Sequence, residues 1–117
     1  MTDSLENLKQ KLQQFVDERD WAQFHSPKNL SMAMIVEAAE LVEHFQWNTE
    51  AESHVLTHVK REQVSHELAD TFVYLLRIAQ MLDIDLIEAT NKKIALNALK
   101  YPADKARGKN NKYTDYQ

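Results

Sequence analysis

Apolar residues return every three or four positions along most of the chain, the spacing of helices that each bury one face. Leu5, Leu8, Leu12, Phe15 and Val16 form the first stripe. They predict a helix from about Ser4 to Arg19, with Asp3 as its cap and Glu6 at the N3 position. A second stripe, Leu30, Met34, Ile35, Ala38, Leu41, Val42 and Phe45, predicts a helix from about Leu30 to Gln46. Asn29 can cap it, and Ser26-Pro27 keeps the preceding segment out of helix, because a residue before proline avoids that conformation.

The third stripe runs from Val64 through Leu68, Thr71, Phe72, Leu75, Leu76, Ile78 and Ala79 to Leu82, predicting a helix from near Lys60 to about Leu82. Between the second and third helices, Thr49 with Glu52 reads as a capping box for a short helix reaching Val55 or Leu56. Asp85 with Glu88 opens a last helix, which Tyr101-Pro102 ends near Lys100. The pattern thus gives a helical domain over residues 1–102 and a polar, basic tail or arm over 103–117, of a kind that orders on a neighbouring subunit.

Composition agrees. One glycine and two prolines in 117 residues leave few turn signals for strands, so the expected class is all-α, a four-helix-bundle-like single domain. The only glycine, Gly108, lies in the tail, which excludes glycine-rich phosphate loops. With no cysteine there are no disulfides, thiol nucleophiles or cysteine zinc sites, a composition compatible with a reducing compartment. A net charge of −4 with interspersed Lys and Arg gives no reason to expect a nucleic-acid duplex or a membrane as partner. Met1-Thr2-Asp3-Ser4 does not read as a signal peptide, and the longest apolar run, Phe72 to Leu76, is too short to span a bilayer. A cytoplasmic location is the expectation.

Two motifs carry the candidate chemistry: Glu37-Ala-Ala-Glu40 and Glu67-Leu-Ala-Asp70. In each, two carboxylates stand on neighbouring helical turns, about 5–6 Å apart at Cβ, and repel each other unless a cation, a proton or solvent intervenes. On a helical wheel each pair borders its apolar stripe and does not stand on the opposite, solvated face. If the two stripes share a core, the four acids converge at one rim. Oxygen donors without cysteine suit a hard ion, Mg²⁺ or Mn²⁺. A carboxylate di-iron site needs Glu-x-x-His on two helices, and no glutamate here has a histidine three residues on. His54 and His58, four apart, read as surface residues of a connector.

The loop between the first two predicted helices holds Trp21, Phe24, His25 and Lys28, either tucked against the bundle or walling a pocket. Tyr74 lies one turn beyond Asp70, while Lys93, Asn97 and Lys100 form a polar stripe on the last helix. By itself such a stripe reads as a solvated face; opposite two acidic pairs it could neutralise phosphates.

Both acidic pairs, together with Arg19-Asp20-Trp21, Gln23-Phe24-His25, Pro27, Asn29-Leu30, Phe45-Gln46-Trp47, Tyr74, Asn97 and Lys100-Tyr101-Pro102, resemble the MazG-like nucleoside triphosphate pyrophosphohydrolases, nearest their dCTP-pyrophosphatase branch. The resemblance covers the chain from the first helix to Pro102. It implies Mg²⁺-dependent hydrolysis of a (deoxy)nucleoside triphosphate to monophosphate and pyrophosphate, as in clearing dCTP-like or non-standard dNTPs from the nucleotide pool. It also implies a homodimer or homotetramer. By position it makes Glu37, Glu40, Glu67 and Asp70 the metal ligands and catalytic acids. Trp21, His25, Trp47, Tyr74 and Asn97 fall on the nucleoside side, and Lys93 and Lys100 near the phosphates. One departure is Leu12, which stands where the animal enzymes of the branch are expected to turn a histidine toward the base, so base preference stays open. The competing expectation is a non-enzymatic helical module that binds a nucleotide or a protein without turnover.

Overall fold

The structure, a computed structural model, describes residues 4–116, and every regular element among them is helical, as the all-α expectation required. α1 spans Leu5–Glu18, α2 Pro27–Glu43, the short α3 Glu50–Ser53, α4 His58–Met81, α5 Leu86–Lys100 and the short α6 Ala103–Ala106. Turns of 3-10 helix lie at Ala22–Phe24 and Tyr113–Tyr116.

Side-chain caps set most of the boundaries. Ser4 Oγ accepts the Asn7 N–H at 3.1 Å and so caps α1; Asp3, expected in that role, lies outside the described residues. α2 starts at Pro27, ahead of the expected Leu30, because Ser26 and not Asn29 is its cap. Ser26 Oγ accepts the Asn29 N–H at 3.1 Å, and Pro27 takes a first-turn position where a missing N–H costs nothing. The Ser26-Pro27 pair that was read as a barrier is therefore the start signal itself. Thr49 and Glu52 form the expected reciprocal box at 3.1 and 2.9 Å, though α3 stops at Ser53. Thr57 caps α4 through the Lys60 N–H at 3.2 Å, and Asp85 caps α5 through the Glu88 N–H at 3.0 Å.

The chain divides into two units, one running through Asp83 and the other starting at Ile84. In the first, α2 and α1 both pack on α4. Val16, Leu30, Val64, Leu76 and Ala79 are the buried apolar residues there. Four residues expected in the buried stripes remain half or more exposed: Ile35 at 64 %, Val42 at 56 %, Leu68 at 53 % and Leu82 at 50 %. A single neighbouring helix covers a narrower arc than these stripes occupy, so their flanks are left uncovered.

In the second unit, residues 103–116 carry the short α6 and the Tyr113–Tyr116 turn. The Tyr113–Tyr116 turn packs on α5, with Tyr116 buried and its ring edge-on to Tyr101 at 5.9 Å between centroids. Tyr116 Oη accepts the Asn111 N–H at 3.1 Å, and Lys105 Nζ donates to the Tyr116 carbonyl at 3.3 Å. Tyrosine permits this because its ring packs while its hydroxyl finds a polar partner.

α1 ends in a Schellman turn built on aspartate. The Trp21 N–H donates to Val16 O at 3.1 Å and the Asp20 N–H to Asp17 O at 3.1 Å, with Asp20 in the left-handed region at φ 52°. A glycine there would avoid the Cβ penalty, and a β-branched residue would feel it in full. Asp20→Gly should therefore hold or raise the melting temperature. Asp20→Val should lower stability by on the order of 1 kcal/mol, read by thermal unfolding followed by circular dichroism.

Candidate functional site

Packing α2 against α4 sets Glu37 of the first beside Glu67 and Asp70 of the second. One carboxylate oxygen from each lies within 4.8 Å of the other two. Glu40 stands one turn beyond Glu37 on α2, near enough for its charge to raise the Glu37 carboxyl. The two acidic motifs thus meet. Glu37, Glu40 and Glu67 are half-buried and Asp70 is exposed, so the group forms the rim of the interface between the two helices.

The electrostatics of this rim are unfavourable as they stand. Oε2 of Glu37 and Oε2 of Glu67 are buried without a hydrogen-bond partner. Desolvation pushes the Glu37 carboxyl up to about 7; contacts with Glu67 and Glu40, and the charges of Glu40 and Asp70, push the same way. An acid group in this state holds a proton near neutrality to relieve its neighbours. A small divalent cation relieves them more completely, and the gathered oxygens of Glu37, Glu67 and Asp70 are donors of the kind such an ion takes.

Beside the acids lies a cavity of about 570 Å³. α1 lines it with Leu8, Leu12 and Phe15, the following loop with Trp21 and His25, and α4 with Asp70, Phe72 and Tyr74 among others. Its walls are mainly apolar, and Asp70 belongs both to the cavity and to the acid cluster. The Schellman turn aims Trp21 here. Its ring stands edge-on to Phe15, 5.6 Å between centroids at 75°. His25 accepts a hydrogen bond at Nδ1 from Arg77 Nε at 3.1 Å. Burial first, then the Arg77 charge, lowers the histidine's pKa and keeps the ring neutral.

Trp21, His25, Tyr74 and Asp70 are therefore brought together around one space, and Leu12 does face it. Trp47 follows α2 in a turn, is 88 % exposed and does not border this cavity. Lys93, Asn97 and Lys100 are exposed on α5 in the second unit, where Lys100 Nζ stands 5.1 Å from the centre of the Tyr113 ring. Arg77 was not foreseen. The wheel puts it within about 20° of Asp70, on an edge that would face solvent if α4 had only α2 beside it. α1 crosses that edge and buries it.

Comparison with known proteins agrees with this geometry. Residues 32–116 match the MazG-like family. The chain is 39 % identical over 114 residues to dCTP pyrophosphatase 1 of Homo sapiens, covering 96 % of this chain and 67 % of that protein. It is 38 % identical to dCTP pyrophosphatase 1 of Bos taurus over 114 residues, covering 96 % of this chain and 68 % of that one. In structure it resembles a crystallised pyrophosphatase from Archaeoglobus fulgidus DSM 4304, with a TM-score of 0.80 and 36 % identity over 87 % of this chain and 95 % of the other.

The raised Glu37 carboxyl has a testable sign. Its folded-state value of about 7 lies above the ordinary 4.5, so its contribution to stability is complete below about pH 4.5 and is lost as pH rises through about 7. In chelator-treated protein the melting temperature should fall across this window, and Glu37→Gln should flatten the fall. Added divalent cation should raise the melting temperature more at about pH 8 than at about pH 5, because protons compete for the same oxygens. Thermal melts at the two pH values, with and without ion, check both statements.

Proposed function

The chain belongs to the MazG-like family, and on that premise we propose that it hydrolyses (deoxy)nucleoside triphosphates between the α and β phosphates, giving nucleoside monophosphate and pyrophosphate. One observation carries the reading: a cluster of carboxylates with unpartnered buried oxygens shares Asp70 with an aromatic-walled cavity of about 570 Å³. Charge chemistry and a nucleoside-sized space lie side by side. The names of the relatives, dCTP pyrophosphatase and pyrophosphatase, point to the same reaction.

Glu37, Glu40, Glu67 and Asp70 are assigned as ligands of Mg²⁺, with Mn²⁺ the alternative hard ion; bound there, the ion supplies positive charge against the phosphates and Lewis acidity. The unpartnered Oε2 atoms of Glu37 and Glu67 support this assignment. A cluster oxygen left free takes the proton of the attacking water, a role that suits Glu37, whose carboxyl is pushed up to about 7. Trp21, His25 and Tyr74 hold the nucleoside, the aromatic faces offering stacking surface to any base. Trp47, Lys93, Asn97 and Lys100 are assigned to the substrate side of the completed pocket, a contribution that a second copy of the chain can make.

Self-association as a dimer or tetramer is part of the proposal. α2 exposes Ile35, Val36 and Val42, α4 exposes Leu68 and Phe72, and α5 exposes Ile87, Ile94 and Leu99. Apolar surface on this scale is characteristic of interfaces. Among the described residues no helix is long and apolar enough to cross a membrane, and we place the protein in the cytoplasm, acting on dCTP-like or non-standard dNTPs.

Incubation with Mg²⁺ and a panel of canonical and modified dNTPs, with chromatographic product analysis, tests the reaction. Monophosphate plus pyrophosphate is expected. Diphosphate plus phosphate would move the attacked phosphorus, and binding without turnover would favour the helical binding module. Glu40→Ala and Asp70→Ala should each reduce kcat/KM by about 100-fold or more while retaining the helical circular-dichroism signal. Light scattering should give a mass at least twice the 13.7 kDa of one chain.

A further inference from the structure

Arg77 is only 2 % exposed, an unusual position for a permanent charge. Such a cation is tolerated only when its donors find acceptors, and those that Nη1 and Nε find here are neutral. Nη1 donates to Gln13 Oε1 at 2.6 Å and to Gln80 Oε1 at 3.2 Å, and Nε donates to His25 Nδ1 at 3.1 Å. Both amides are themselves held in place. Gln13 Nε2 donates to Asp17 Oδ1 at 2.8 Å, and Gln80 Nε2 donates to the Lys9 carbonyl at 3.0 Å. With their N–H groups committed to α1, both glutamines must present oxygen to the guanidinium. The network therefore admits one arrangement: α1 orients the two amides, the amides orient Arg77, and Arg77 orients His25.

The last link has a chemical consequence. An arginine Nε–H can only donate, so the histidine nitrogen opposite it must offer a lone pair. The ring proton then belongs to Nε2. A free imidazole near its ordinary pKa would exchange between two neutral tautomers and a cation; the contact with Arg77 leaves one form. His25 borders the cavity and Arg77 does not. The polar group that His25 can offer a molecule in this mainly apolar space is accordingly a donor and not an acceptor.

We propose that Arg77 is a positioning residue for the nucleoside half of the pocket: from behind the wall it holds His25 as the Nε2–H tautomer, so that His25 donates a hydrogen bond to a carbonyl oxygen or bare ring nitrogen of the base. The inference rests on the nucleotide reading of the cavity for its ligand, but the tautomer itself belongs to the free protein. A plain structural strut between α1 and α4 would need no particular protonation of His25. This difference is what an experiment reads.

The test uses the full chain labelled with ¹⁵N-histidine. At about pH 7.5, long-range ¹H–¹⁵N spectra should show His25 with a protonated Nε2 and a bare Nδ1. A protonated Nδ1, or a cationic ring, overturns the proposal. Arg77→Met should leave the ring in a mixture of forms and raise KM for a dNTP by about tenfold with kcat changed less than about twofold, the size expected for one ligand hydrogen bond. Arg77→Lys should fall between the two.

His25→Ala should raise KM similarly, and Arg77→Met added to it should change KM by less than about twofold, since the two act as one unit. Equal effects of Arg77→Met with and without His25, or a lower melting temperature with unaltered KM, overturn the positioning role. If Arg77→Met does not fold, Gln13→Leu takes its place. It removes one acceptor but keeps the cation, and a mixed tautomer with KM raised about threefold is expected. No change in either quantity counts against the proposal. A wild-type protein that turns over no dNTP defeats the hydrolase reading and the base contact with it, whereas the tautomer is judged separately from the spectra.

Discussion

The carboxylates of Glu37, Glu67 and Asp70, held against each other, set the terms for the rest of this structure. Packing α2 on α4 is favourable because Leu30 and Val64 leave water, yet the same packing forces Glu37 against Glu67 with two oxygens that no donor reaches. A protein gains nothing in stability from such an arrangement. Glu37 either holds a proton near neutrality or is repelled by its neighbours, a conflict that a divalent ion would relieve. The two unpartnered oxygens are what the proposed ion would satisfy.

α4 carries two opposite electrostatic problems within three helical turns. Toward its middle, Glu67 and Asp70 gather with Glu37 of α2 at the rim. One to two turns on, Arg77 is enclosed by α1 and neutral amides. The acids are left with an unmet demand that an external ion can meet, and the arginine has its demand met internally. Between them, Tyr74 and Phe72 open onto the cavity. One helix therefore separates the group that must accept something from outside from the group that must never be disturbed.

Much of this was legible in the chain. The period of the apolar residues gave the helices, and the Glu-x-x-acid motifs at the edges of two stripes foretold a meeting of acids, because a helical wheel fixes angular position well. Caps were legible by type more than by position: Asp85 and Thr49 were read in place, while Ser26 was taken as a stop because the wheel says nothing about which side of Pro27 the helix occupies. Arg77 was illegible for a different reason. Its burial depends on α1 crossing α4, a tertiary fact absent from the periodicity of either helix. The exposed flanks at Ile35 and Leu68 likewise reflect how wide an arc a neighbour covers, which no single stripe encodes.

The two faces of α1 answer to different masters. Leu8, Leu12 and Phe15 look into the cavity, whereas Lys9 and Gln13 lean on Gln80 and Arg77. No acid of the cluster comes from this helix. Substitutions on its inner face can therefore redraw the shape of the cavity while the acid cluster on α2 and α4 stays intact. Ligand choice in this scaffold can drift by single codon changes along one helical side, and chemistry need not be reinvented each time.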